Sequence, residues 1–500
     1  MNHSSHLALW TLAAITCLAI TGTSNAKPEP SPTASTIWVT ATEQKFNFLQ
    51  PWEKTAPQRK RGIGTLIDGS RLVIGADVIA NTTFIELERP SDGAKTTGKV
   101  IARDYEANLA IVAPVDNAED FFKNNTPLEI TDSLAVGDTV AIWQLEAEGS
   151  PVITSGVINR AEIGRYTVPH RSFLRFNVRI SLENKTGGYS LPVIHGGKLA
   201  GVLLTYNPDE QVARVIPGQI LSSFISELED GNYQGFPNLG LATVQLTDDQ
   251  FRDYLGLERS GDGVYVSSVE PGSCADEIGI KVGDVLTSMD GKPIDRRGNY
   301  TDDAFGKLGF GHLISSRAVG DKVKIDLIRE SKALQLEATL KHKSPSEYIV
   351  DPFLFDRGPN FIMAGGLLFQ ELTRDYLTSF REWEKNAPFN LQYVLAKPES
   401  ILEENEDPTG RKIVFLSYVI PTPATVGYER ISAKIVDKVN GERITRIEDL
   451  ASALIKPIDG IHHIEFTDNS ADIFVDDQMI QAINKRMQQS GMSQLQRIER

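Results

Sequence analysis

From residue 37 to about 225 the chain alternates short apolar runs with Gly, Asn and Asp. The runs fall at 62–66, 71–74, 83–87, 109–112, 139–143, 152–158, 174–180 and 199–204. A period of two marks strands with one buried face. Many short strands with turn residues between them predict an all-β barrel or sandwich. The period then changes. Pro217 followed by Ile220, Phe224, Ile225 and Leu228 predicts a helix over 216–229.

A Gly-rich break at 231–237 opens a second region, 236–342. It combines strands with a helix carrying Phe251, Tyr254 and Leu255. After the apolar pair Val285-Leu286 comes Asp290-Gly291, which predicts a tight hairpin. A Pro-punctuated linker spans 343–360. Residues 361–482 repeat the theme, with Ile435-Val436 followed by Asn440-Gly441. Two α+β units of about a hundred residues with matching turns suggest an internal duplication. From Gln478 a polar amphipathic helix with Ile480, Ile483 and Met487 is expected, so that 483–500 reads as a helical tail. Ahead of the first β-rich domain, 40–230, the Pro-, Ser- and Thr-rich start of segment 27–39 reads as a flexible leader.

Length and composition narrow the function classes. Five hundred residues exceed one core, and 41% hydrophobic with 23% charged residues is ordinary for globular domains. The net charge of −15 with no basic stripe argues against nucleic acid and against an anionic membrane surface. The apolar run 7–20 followed by Ser24-Asn25-Ala26 has the form of an export signal, 1–26, cleaved after Ala26. Residues 1–6 hold no Lys or Arg, which leaves a retained anchor as the alternative. After cleavage only Cys274 remains, so no intramolecular disulfide forms. No second apolar stretch reaches spanning length, and an exported, periplasmic, soluble chain is expected.

A family resemblance enters with the middle domain. Pro271-Gly272-Ser273-Cys274-Ala275, then Val282-Gly283-Asp284-Val285-Leu286, then Asp290-Gly291-Lys292-Pro293-Ile294 resemble the PDZ domains of the HtrA/DegP (Deg) serine protease family. Asn360 to Leu367, Val426 to Arg430 and Val436 to Gly441 are similar to the second PDZ-like domain of plant, nucleolar-type Deg proteases. Gly64-Thr65-Leu66-Ile67 and Thr154-Ser155-Gly156-Val157-Ile158 resemble strands of the family's protease domain. The resemblance implies a mainly β fold with α+β parts: a trypsin-like double β-barrel followed by two PDZ-type domains. It also implies a carboxylate-binding loop at Leu239, Gly240 and Leu241, with Leu313 on the helix that forms the other wall. There an extended peptide adds to a sheet edge through its backbone. Core packing is the competing reading for Leu239 and Leu241.

The same resemblance places the catalytic triad at Asp77, Asn108 and Tyr189, where the family has His, Asp and Ser. Moving the last alignment by one makes Ser190 the nucleophile, but a serine needs a base, ordinarily an imidazole. Between 40 and 225 the histidines are His170 and His195, both in the second barrel, and an ordinary carboxylate is a weak base for an alcohol. The expectation is therefore a non-enzyme: an inactive protease homologue that binds peptides or protein C-termini, scaffolds, and associates with active family members or with itself. The alternatives are an active HtrA-type serine endopeptidase and a chaperone-like holdase. No cofactor or metal is expected. Adjacent His462 and His463 would point to opposite faces of a strand, on the surface, and Asp472, Asp476 and Asp477 lack the spacing of a calcium loop.

Overall fold

The alternation of apolar positions closes into two barrels. The structure, a computed structural model, describes residues 29–499 apart from 169, 184–189, 232, 260, 404–405, 469–470 and 493. The export-signal segment 1–26 and Tyr189 lie outside the described residues.

The first barrel is built from Thr36–Glu43, Gln58–Leu66, Leu72–Ile74, Thr82–Glu88, Lys95–Asp104 and Leu109–Pro114. The second uses Thr139–Leu145, Pro151–Arg165, Ser172–Arg179, Pro192–His195, Lys198–Asn207 and Val212–Pro217. Each closes with its strands in the same order, first, second, third, sixth, fifth, fourth. Closure leaves no free edge, and inward residues fill each interior. The helix Gly218–Glu229 follows, burying Ile220, Leu221 and Phe224 against the second barrel. The mostly β architecture with a trypsin-like double barrel and two further domains stands as expected.

Two expectations need correction. Segment 27–39 is not all leader. Ser31 caps a short helix, Pro32–Ser35, and the strand Thr36–Glu43 pairs with two barrel neighbours. Its apolar alternation, Ile37, Val39 and Ala41, is fully buried. At the other end the helix runs Asp477–Gln489 rather than through 500. Gly491, at φ +103°, ends it, and Gln496–Arg497 form a strand.

The middle and last domains share one plan. Leu241–Gln245, Val264–Val269, Val285–Met289, Lys322–Arg329 and Lys332–Thr339 lie side by side in that order. In the last domain Leu367–Glu371, Val414–Val419, Lys434–Val439, Ile461–Phe466 and Ile473–Asp476 do the same. Both expected hairpins form at the third strand. Asp290-Gly291 sit at φ 47° and 74°, and Asn440-Gly441 at 55° and 79°. Two consecutive left-handed residues give the primed turn whose twist suits adjacent strands.

The domains are not loosely strung. Phe305 of the middle domain meets Phe176 of the second barrel at 5.6 Å, and Gly309 lies close against Ile163. Residues 353–358 of the segment 343–360 lie against the first barrel. Asp356 pairs with Arg103, accepts from the Tyr105 hydroxyl and exchanges two hydrogen bonds with Asn81. Tyr105 also packs on Phe355, 4.3 Å between ring centres.

If Thr36–Glu43 is a barrel strand, Ile37→Ala should destabilise the chain by about 2–5 kcal/mol, the range for emptying a buried isoleucine site. Urea unfolding followed by tryptophan fluorescence measures this. A change within about 0.5 kcal/mol, the usual effect of a surface substitution, would return the segment to a leader.

Candidate functional site

Two tight turns of the first barrel and one of the second meet where the barrels join. Strand Leu72–Ile74 runs into the short helix Ala76–Ile79, whose Val78 and Ile79 are buried and so fix Asp77 in its first turn. Asn108 sits in the turn between strands Lys95–Asp104 and Leu109–Pro114 at φ 55°, a conformation that Asn tolerates. Asp104 shapes this turn by accepting from the Ala107 amide at 2.8 Å. The Asn108 carbonyl and side-chain oxygen accept from the amides of Ala76 (3.2 Å) and Asp77 (2.8 Å), tying the two turns together. From the second barrel, Ser190 at φ 59° brings its hydroxyl oxygen to 2.6 Å from the Gly75 amide, which donates to it.

Gly75 is the centre of this arrangement. A Cβ there would lie 2.6 Å from both Asp77 Oδ1 and Ser190 Oγ, and 3.4 Å from Asn108 Nδ2. The missing side chain is what allows three polar groups to converge. Lys60 reaches the site from strand Gln58–Leu66, donating to the Asp77 carbonyl at 2.5 Å and lying 3.4 Å from its carboxylate. Ser190 is only 5% exposed and Asn108 is buried, whereas Asp77 is partly open. The structure thus brings Asp77, Asn108 and Ser190 together, with Tyr189 outside the described residues. Lys60 and the role of Gly75 were not anticipated. Lys60 lies in a basic run that carries no motif, although Gly75 stands next but one to Asp77.

Neither histidine of the second barrel bonds to Ser190. His195 Nδ1 contacts the Thr139 carbonyl at 2.8 Å. His170 Nε2 contacts Glu106 Oε1 at 2.7 Å, and His342 Nε2 contacts Glu106 Oε2 at 3.0 Å. Arg171 adds its charge at 3.5 Å from Glu106. Burial disfavours a charged Glu106, but the bonds to His170 and His342 and the Arg171 charge outweigh it, holding the carboxyl down at about 2. Burial and the charge of Glu106 instead push Asp104 up, against the hydrogen bond from Tyr233.

In the middle domain Leu239 and Leu313 are buried in one apolar cluster, and Leu241 packs against it. Gly240 has φ 70°, and a Cβ would fall 2.2 Å from the Ser273 Cβ. Strand Leu241–Gln245 pairs on one side only among the described residues. In the last domain the expectation of surface histidines is corrected for His462, which is buried between Asn440 (3.1 Å) and Asp477 (3.0 Å). Its inward place follows from the strand pattern, in which Ile464 and Phe466 also face the core. His463 stacks on Phe474 at 4.4 Å. No cluster of three or more His, Cys, Asp or Glu suited to a metal occurs among the described residues.

Comparison with known proteins now adds to this geometry. PDZ domain models match residues 237–340 and 350–493. The chain is 26% identical over 424 residues to the "Putative protease Do-like 3, mitochondrial" of Arabidopsis thaliana, covering 83% of this chain and 71% of that protein. It is 27% identical to that plant's "Protease Do-like 2, chloroplastic", over 87% of this chain and 70% of the relative. The "Periplasmic serine endoprotease DegP" of Escherichia coli (strain K12) matches at 27% over 57% of this chain and 58% of its own length. A solved structure described as "HtrA-type protease AlgW with decapeptide" superposes with a TM-score of 0.46 at 17% identity, covering 63% of this chain and 97% of that one. This is an HtrA-like chain with two PDZ domains. The matched relatives are named proteases and endoproteases, which overturns the expectation of a non-enzyme.

Glu106 gives a pH-dependent prediction. Its carboxyl is held below the ordinary value of 4.5, so the stability it contributes is present above that value and is lost as pH falls toward about 2. Removing the charge with Glu106→Gln should cost about 3–5 kcal/mol at pH 7, because partners of a buried ion pair are left unpaired. The gap to wild type should close between pH 4.5 and 2. Chemical denaturation across that range measures it, and a gap that stays constant with pH would count against the assignment.

Proposed function

We propose that this chain is an HtrA-type serine endopeptidase in which Ser190 is the nucleophile and Asp77 the proton acceptor. The observation that carries the proposal is the convergence of Ser190, Asp77 and Asn108 around Gly75, where the two barrels meet. In this reading Ser190 Oγ forms the bond to the scissile carbonyl carbon while its proton passes to the Asp77 carboxylate. That proton then goes to the leaving amine as the peptide C–N bond breaks, and water hydrolyses the acyl-enzyme by the same route. Asn108 positions Asp77 through its backbone, and Lys60 neutralises the carboxylate side of the site. A carboxylate in place of imidazole makes a poor base. Turnover on the order of 10⁴-fold slower than that of a complete Ser-His-Asp triad is expected.

The PDZ domain at 237–340 supports delivery of substrate. Leu241–Gln245 is an edge strand beside the Gly240 turn, a place for an extended peptide or a protein C-terminus to add as a strand. Leu239 and Leu313 would floor that groove. Export to a periplasm, self-association and contact with other Deg-family proteases belong to the same proposal. No helix among the described residues is long and apolar enough to cross a membrane.

The test is slow hydrolysis of casein by the purified chain, beside Ser190→Ala and Asp77→Asn. Detectable turnover that vanishes in Ser190→Ala and falls at least tenfold in Asp77→Asn is the expected result. Turnover unchanged in Ser190→Ala, or none above buffer, would remove the catalytic assignment and leave peptide capture by the PDZ domain as the activity to measure.

A further inference from the structure

The last domain has its equivalent groove edge already covered. Beyond Leu367–Glu371, the counterpart of the open strand Leu241–Gln245, lies Phe361–Ala364, joined to it through Gly365-Gly366. On the outer edge of Phe361–Ala364 the chain's own C-terminal segment adds another strand. Phe361 pairs with Arg497 and Ile362 with Gln496, and the Met363 amide donates to the Leu495 carbonyl at 2.8 Å. Asn360 extends the ladder by exchanging hydrogen bonds with the Glu499 backbone, at 2.9 and 3.0 Å.

Side chains make this seat selective. Arg497 is only 8% exposed. Its guanidinium donates to the Pro51 carbonyl at 3.0 Å, the Pro359 carbonyl at 3.4 Å and the Gln494 side chain at 2.9 Å. It lies between two rings, 4.5 Å from the centre of Phe46 and 5.5 Å from that of Phe361. A planar, multiply donating cation suits such a slot in a way a lysine ammonium does not. Gly358 leaves the room for it: a Cβ there would fall 2.1 Å from Arg497 Nη1. Leu495, on the same face of the strand, packs on the cluster of Phe361, Met363 and Leu368. The slot is shared. Phe46 and Pro51 belong to the protease region, and Phe361 and Pro359 to the last domain and its lead-in.

We infer that this edge is a peptide-binding site, separate from the groove at Leu241–Gln245, that takes an extended segment of the form apolar-x-Arg and is filled in cis by residues 494–499. The same segment supplied by another chain takes the seat in trans when the cis tail is withdrawn. Backbone pairing gives the site its affinity for extended chain, and the slot gives it its preference for arginine.

Fluorescence anisotropy of a labelled peptide with the sequence of residues 490–500 tests this. The partner protein is the chain lacking residues 493–500, with its fold checked by circular dichroism. Saturable binding is expected, at least tenfold weaker for peptides carrying Arg497→Ala or Arg497→Lys, as loss of hydrogen bonds to a charged group implies. Gly358→Ala in the shortened chain should abolish binding. The intact chain should take the peptide at least tenfold more weakly, because its tethered tail competes at high effective concentration. Should the shortened chain not fold, the intact chain carrying Arg497→Ala replaces it, and it should bind the peptide more tightly than wild type. A folded shortened chain that ignores the peptide, or takes the Arg497→Ala peptide equally well, would overturn the inference.

Discussion

One buried carboxylate sets the relation among the parts of this molecule. Glu106 comes from the first barrel, His170 and Arg171 from the second, and His342 from the end of the first PDZ domain, and they meet with Glu106 and Arg171 buried and the two imidazoles partly open. An ion of that size costs several kcal/mol to desolvate, so it is tolerated only while every partner is in place. Orientation follows from this requirement. Rotating either barrel, or the PDZ domain, would leave a charge without a partner. Asp104, two residues earlier, is easier to protonate because it is buried and because Glu106 is ionised, while Tyr233 donates its hydroxyl to it. The turn holding Asn108 grows directly from this pair.

Much of the architecture was legible from residues alone. The period of two along 62–204 announced the barrels, and Asp290-Gly291 and Asn440-Gly441 announced equivalent hairpins. These are local signals, written in a few consecutive residues. The first strand was harder to read because Pro and Ser precede it, although Ile37, Val39 and Ala41 carry the alternation. The strand Gln496–Arg497 was not legible at all. Its partner lies more than a hundred residues away, and a polar Gln-Arg pair has no strand pattern of its own.

The site divides the same way. Asp77 and Asn108 were found through motif position, and their convergence with Ser190 came only from the fold. In the sequence they were substitutions that removed a triad. In the structure both lie with Ser190 around Gly75, whose amide donates to the Ser190 hydroxyl, a convergence that separate alignment positions do not convey. The burial of His462 was likewise hidden. It depends on Asn440 and Asp477, which reach it from a turn and from a helix start.

The strap at 343–360 has a thermodynamic corollary. Through Asp356 and the ring of Phe355 it grips Arg103 and Tyr105, a few residues before Asn108. Coupling between two binding sites is reciprocal by thermodynamic necessity. If a peptide on a PDZ domain changed affinity at Gly75 by shifting the strap, an occupant at Gly75 would change affinity at the PDZ domain by the same factor.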